Sequence, residues 1–243
     1  MRKLTWLLVV LTLIGSANVV AAFSFSPMSA SIESSGPNAV ITYKVTNESD
    51  KQIAVSIKVM TRSIDPAGVE SNEPADKLFL VFPARVVLKP NSSQNVKVQY
   101  KGNPAVPVEL AFRVVAEQLP VDFAKATSSG VNILLTYVAA LYITPKNAET
   151  RLLVSQAVGV EQDGRKGLRI TISNEGTRHA LISNPVIRLT GKDGTLLAEF
   201  GEKALEVLAG QNILAKSQRI IFVPWESAQI GGSYQGTISA EIE

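Results

Sequence analysis

The chain has 243 residues, 46% of them hydrophobic and 19% charged, with a single His and no Cys. This is the composition of one large or two small globular domains; it leaves no thiol chemistry and no disulfides, and it argues against metal centres built from several His or Cys ligands. The formal charge of +3 is concentrated at the start: without residues 1–22, Lys+Arg falls from 24 to 22 against 21 acids, and no basic cluster with interleaved aromatics remains to suggest nucleic acid.

Residues 1–22 open with Arg2 and Lys3, run apolar from Leu4 to Ile14 apart from Thr5 and Thr12, and close on Val20-Ala21-Ala22. A charged start, a short apolar run and small residues predict a secretory signal peptide cut after about Ala22. The run is too short for the ~20 residues that a membrane span needs. The Arg2-Lys3 start and short apolar run resemble a bacterial leader, for which the periplasm is the expected destination. Without Cys, stability must come from core burial.

Beyond the leader, Phe23 and Phe25 alternate with Ser and the pattern breaks at Pro27, which predicts an interrupted edge strand. Strands follow at 40–47, 53–60, 78–82, 86–88, 96–100 and 108–119, divided by turns such as Asp65-Pro66-Ala67-Gly68. The set closes with residues 131–144, fourteen residues without a charge, Gly or Pro. Val131, Ile133, Leu135, Tyr137, Ala139, Leu141 and Ile143 occupy its odd positions, and a strand places such a set on one face. A usual strand has roughly 5–6 residues. One this long and apolar is either central in a large sheet or an edge that borrows its cover from another protein. The segment is read here as the second.

Pro145-Lys146-Asn147-Ala148 breaks the pattern, and further strands are predicted at 152–160, 168–174, 180–190, 196–200, 220–224 and 234–242. Short strands with turn residues between them, and no helical period, predict an all-β protein. The expected division is a leader at 1–22, a first domain at 23–144 and a second at 145–243.

Enzyme chemistry finds no support. The one His, His179, lies in Asn174-Glu175-Gly176-Thr177-Arg178-His179 at the mouth of a predicted hairpin and reads as an ordinary hairpin residue. There is no phosphate-binding Gly loop, the acids are scattered among turns, and neither cofactor nor metal is expected. Asn47-Glu48-Ser49 and Asn91-Ser92-Ser93 match the glycosylation sequon, which carries little meaning if the source is bacterial.

Several stretches in order carry a resemblance: the leader, Phe23 to Met28, the Val45-Thr46-Asn47 strand end, Phe82-Pro83-Ala84-Arg85 through Pro90, and above all Glu109 to Pro120. The chain resembles the periplasmic pilus (fimbrial) assembly chaperones of the chaperone–usher pathway, in the branch called archaic or alternative. The resemblance implies two immunoglobulin-like β-sandwich domains in an L or boomerang arrangement. It implies pilin subunits and an outer-membrane usher as partners, and donor-strand complementation as the mechanism, in which the last strand of the first domain fills the gap in an incomplete subunit. That is strand addition, with main-chain bonds giving affinity and alternate side chains filling pockets.

The donor side chains are then Val131, Ile133, Leu135 and Tyr137. At about 1.5–3 kcal/mol each, four contribute roughly 6–12 kcal/mol before costs. The family also implies a basic anchor for the subunit's terminal carboxylate. The last-strand Lys of its better-known branch is replaced by Ala140 or a near neighbour here, and the early strand has no base. Arg113 is the first candidate, followed by Arg85 and Arg62. Glu109 matches a family acid that fixes the interdomain cleft, with a second-domain Arg as its expected partner. The free protein, with an uncovered apolar edge, is expected to self-associate into a capped dimer or tetramer. The competing readings are an exported adhesive or carbohydrate-binding sandwich, which the scarcity of loop aromatics disfavours, and a pilin subunit. Against a pilin stand two domains and an apolar strand at the end of the first rather than at the N-terminus.

Overall fold

A computed structural model describes residues 23–121, 133–191 and 193–242. The expected signal peptide and the candidate Val131 lie outside the described residues. The first eleven strands are β1 (Phe23–Ser26), β2 (Ser29–Ile32), β3 (Val40–Asn47), β4 (Ile53–Thr61), β5 (Ser63–Ile64), β6 (Glu70–Ser71), β7 (Phe79–Phe82), β8 (Arg85–Leu88), β9 (Ser93–Tyr100), β10 (Leu110–Gln118) and β11 (Thr136–Ile143). They form one sheet in the order β1-β3-β9-β7 and a second in the order β2-β11-β10-β4-β8. The break at Pro27 is where the chain leaves the first sheet for the second, so β1 pairs antiparallel with β3 and β2 pairs parallel with β11.

Period-2 alternation packs the two sheets against each other. On β4, Ile53, Val55, Ile57 and Val59 face the core, and on β10, Phe112, Val114 and Ala116 do. Between them, Phe25 stacks on Tyr43 and Phe79 meets Phe112 edge to face, each pair 4.8 Å apart. Burial pushes the Tyr43 hydroxyl pKa well above that of a free tyrosine.

The second group comprises β12 (Leu152–Gln162), β13 (Arg165–Asn174), β14 (Ala180–Thr190), β15 (Leu196–Phe200), β16 (Asn212–Ile213), β17 (Gln218–Pro224) and β18 (Gln235–Ile242), with a 3-10 turn at Glu206–Leu208. β12-β13-β17 make one sheet, and β14 joins β15, β16 and β18 in the other. Leu168, Ile170, Ile172, Ile187, Leu189 and Val223 make a separate core from their inward positions. Together the two groups are immunoglobulin-like β-sandwiches.

The Asn residues ending β3 and β13 play the same part in each sandwich. Asn47 Nδ2 donates to the carbonyls of Lys51, Leu88 and Lys89. Asn174 Nδ2 donates to those of Arg178 and Ile213. Each supplies partners to loop backbone that would otherwise be buried unpaired. Asn47 is fully buried, so its sequon is closed in the folded protein.

Two sequence expectations change. The closing strand of the first group is shorter than 131–144: regular pairing begins at Thr136, and residues 133–135 lie ahead of it without strand geometry. The ladder shortens because β10, its partner, ends at Gln118, which still donates its N–H to the Leu135 carbonyl at 3.0 Å. Also, the Asp65–Gly68 turn is the tip of a small hairpin, β5–β6, that the alternation did not reveal because each strand has two residues.

Candidate functional site

β11 changes character along its length. Its C-terminal half is interior, with β10 on one side and β2 on the other at Ala140–Ile143. Ala139, Leu141 and Ile143 are fully buried. Its N-terminal half pairs with β10 alone, Thr136 to Ala139 lying opposite Glu117 to Val114. Among the described residues no strand covers the other side. Ala140 donates its N–H to the Met28 carbonyl on the β2 side. Backbone groups of a strand alternate sides, so Thr136 and Val138 present theirs to the open side.

The donor candidates separate accordingly. Ile133 is 72% exposed. Leu135 is half-buried against the first core. Tyr137 is engaged within its own sandwich: its ring meets Phe23 edge to face at 4.8 Å, and its hydroxyl donates to the Phe23 carbonyl at 2.6 Å. The expectation that Tyr137 is free for a partner is therefore corrected, because Phe23 closes over it.

The three arginine candidates also separate. Arg113 projects from the outer face of β10, opposite Ala140 on β11 and Met60 on β4. Its Nε donates to Glu70 Oε1 at 2.7 Å and its Nη2 to Glu70 Oε2 at 2.6 Å. Arg62 follows β4, and its Nε donates to the same Glu70 Oε2 at 2.9 Å. Its Nη1 reaches across β10 to the hydroxyl of Tyr142 on β11, also at 2.9 Å. The Arg113 and Arg62 guanidinium groups hold the Glu70 carboxyl below its ordinary pKa despite partial burial. Arg85 is not part of this group. It is exposed at the start of β8, opposite Ser56, in a row that meets β10 at Glu117 rather than at Arg113.

Glu109 lies just ahead of β10, with its side chain 1% exposed. Its Oε1 accepts the Thr144 hydroxyl at 2.7 Å. Its Oε2 accepts the backbone N–H of His179 at 2.9 Å and faces the ring Nδ1 at 2.6 Å. Burial pushes the Glu109 pKa up, but the His179 and Thr144 hydrogen bonds outweigh it and leave the pKa lowered. The carboxylate is thus an acceptor only, so Nδ1 carries the proton. The expected arginine partner is corrected to His179, and so is the reading of His179 as an ordinary hairpin residue. Tyr142 stacks on the His179 ring at 3.9 Å with an interplanar angle of 8°, and its hydroxyl also accepts from Asn212 Nδ2 at 2.8 Å. The outer face of β10–β11 is thereby tied to the second sandwich.

Beside this lies a cleft of about 440 Å³, lined by Arg62, Ile64, Glu109 and Leu110 from the first sandwich and by Leu214 and Ser217 from the second. The β5–β6 hairpin forms another tie, since Pro66 accepts the Ile220 N–H at 2.7 Å. Gly68, at φ +91°, lies under the Arg219 guanidinium, and an added Cβ would fall 1.2 Å from Nη1. Gly68→Ala is expected to lower stability by about 1–3 kcal/mol through backbone strain and displacement of Arg219. An unchanged melting temperature would count against this packing.

Glu70, His179 and Tyr142 were missed in the sequence reading. Tyr142 lies in an uncharged, mostly apolar run, and only its register opposite Ala111, beside Arg62, explains its role.

Residues 25–149 match the family described as pili and flagellar-assembly chaperone, PapD N-terminal domain. The match spans just over half of the chain, which belongs to this family of chaperones. The fold is similar to that of the class 5 fimbriae chaperone CfaA, at 14% identity over 91% of this chain and 99% of that one, with a TM-score of 0.57. A chain from a chaperone–tip adhesin complex of CFA/I fimbriae biogenesis is similar at 15% identity, with the same coverages and a TM-score of 0.58. A chain from the CsuC–CsuE pre-assembly complex of archaic Csu pili of Acinetobacter baumannii is similar at 14% identity, over 83% of this chain and 90% of that one, with a TM-score of 0.53. At these identities the likeness is one of fold. No curated protein sequence matches the chain.

Proposed function

We propose that this chain is a periplasmic chaperone of the archaic or alternative branch that caps pilus subunits by lending them the segment from Val131 to Val138. It then passes them to an outer-membrane usher. The division into an exported leader at 1–22 and domains at 23–144 and 145–243 belongs to this reading. The observation that carries it is the half-open edge of β11: β10 covers one side throughout, whereas β2 covers the other only from Ala140 onward. A subunit strand laid along the open part would take up the Thr136 and Val138 backbone groups at on the order of 1 kcal/mol net each. Val131, Ile133 and Leu135 would fill its groove as a continuation of the stripe that Ala139, Leu141 and Ile143 present to their own core. A strand running in the direction of β11 along that edge ends where β2 begins, at Ala140, the neighbour of Arg113. Arg113 and Arg62 are the proposed anchor for its terminal carboxylate, with Arg85 outside it.

Hydrogen exchange provides the test, on the free protein and on its complex with a pilin subunit that co-purifies with it. The Thr136 and Val138 amides should exchange quickly when free and slowly in the complex, with Ala140 to Ile143 protected in both. Equal exchange at Thr136 and Val138 in the two states would remove the reading.

A further inference from the structure

The Arg62–Arg113 pair already holds a carboxylate, and the donor is the chain itself. Glu70 comes from the β5–β6 hairpin rather than from either arginine's strand. Both of its oxygens accept from Arg113, and one also accepts from Arg62. We propose that Glu70 is an internal stand-in for the subunit's terminal carboxylate: it fills the anchor in the free protein and yields it when a subunit binds. The proposal rests on the anchor reading above.

Three observations carry it. The chemistry is the same, because a terminal carboxylate offers two guanidinium groups the same pair of oxygens in the same fork. The arginines need a resident anion, since their side chains are only 8% and 19% exposed and an unpaired cation at that depth is costly. The stand-in can withdraw by its side chain alone: the hairpin stays tied to Ile220 through Pro66, whereas the Glu70 side chain, 27% exposed, sits at the solvent edge of the anchor.

The consequence is an exchange of one carboxylate for another. Such an exchange is close to neutral, so the anchor sets the register of the incoming strand without deepening its affinity. Register matters here because a slip of one residue turns the donor stripe to the wrong face. Release is eased for the same reason, since Glu70 can return as the subunit leaves.

The test uses the purified full-length protein and two fluorescent peptides of one alternating Val/Thr sequence, one ending in a free carboxylate and the other in an amide. The wild type should bind the two almost equally. Glu70→Gln should prefer the free acid by about tenfold, the equivalent of one charge-assisted hydrogen bond. Adding Arg113→Ala should erase that preference. Glu70→Ala serves as a second variant should the Gln amide still occupy the arginines, and melting curves identify any variant that does not fold. Equal acid preference in wild type and both Glu70 variants, lost on Arg113→Ala, would overturn the stand-in and leave the anchor intact. No acid preference in any protein, or no peptide binding at all, would remove the anchor reading and the stand-in with it.

Discussion

Ile133→Asp, alone and with Leu135→Asp, is expected to abolish co-purification of the chaperone with a pilus subunit while leaving the chaperone folded. Ile133 is 72% exposed in the free chain, so a carboxylate there costs the isolated fold little. In a subunit groove the same position would be buried. Losing two large apolar side chains removes about 3–6 kcal/mol. That corresponds to about a 10²- to 10⁴-fold weaker complex, before the cost of burying two carboxylates is added. Leu135 packs partly against the first core, so the single Ile133 variant is the cleaner of the two. An undiminished pull-down yield, with the circular dichroism of a folded protein, would withdraw the donor assignment.

Glu109→Gln is the second large effect. The carboxylate accepts from the His179 backbone, the His179 ring and the Thr144 hydroxyl, all in a buried setting. An amide in its place can accept at one end only and brings donors that meet other donors. A loss of about 2–4 kcal/mol is expected at neutral pH. The pH dependence follows from the direction of the shift. The Glu109 pKa is lower in the folded chain than its ordinary value of 4.5. Its contribution is therefore complete above about 4.5 and is lost as the pH falls from there through the lower folded value. The wild type should lose stability over that acid range more steeply than Glu109→Gln. Parallel stability curves for the two would show that the carboxylate is not ionised in this contact.

The fold was legible because alternation is a local property. The strands expected at 40–47, 180–190 and 196–200 form with the expected bounds, and the others differ by a few residues at their ends. Gly, Pro, Asn and Asp mark nearly every turn. The hairpin at 63–71 escaped notice because two-residue strands have no period to detect. The site was legible in part. Ile133 and Leu135 stand out as apolar residues in an uncharged run, and Arg113 as a charge between Phe112 and Val114. Nothing local, however, distinguishes Tyr137, closed over by Phe23, from Ile133, open to solvent, although they share one stripe.

The sequence by itself determined the all-β class, the two-part layout, the apolar ridge and the family resemblance. Each depends on residue type at short spacing, and short-range sterics and side-chain polarity are sufficient to specify it. Tertiary structure alone decided where β11 stops being interior, that Glu70 rather than solvent meets Arg62 and Arg113, and that the buried partner of Glu109 is His179. Those outcomes depend on register and on contacts between residues 8 to 111 positions apart, which only the closed sheets bring within hydrogen-bonding distance.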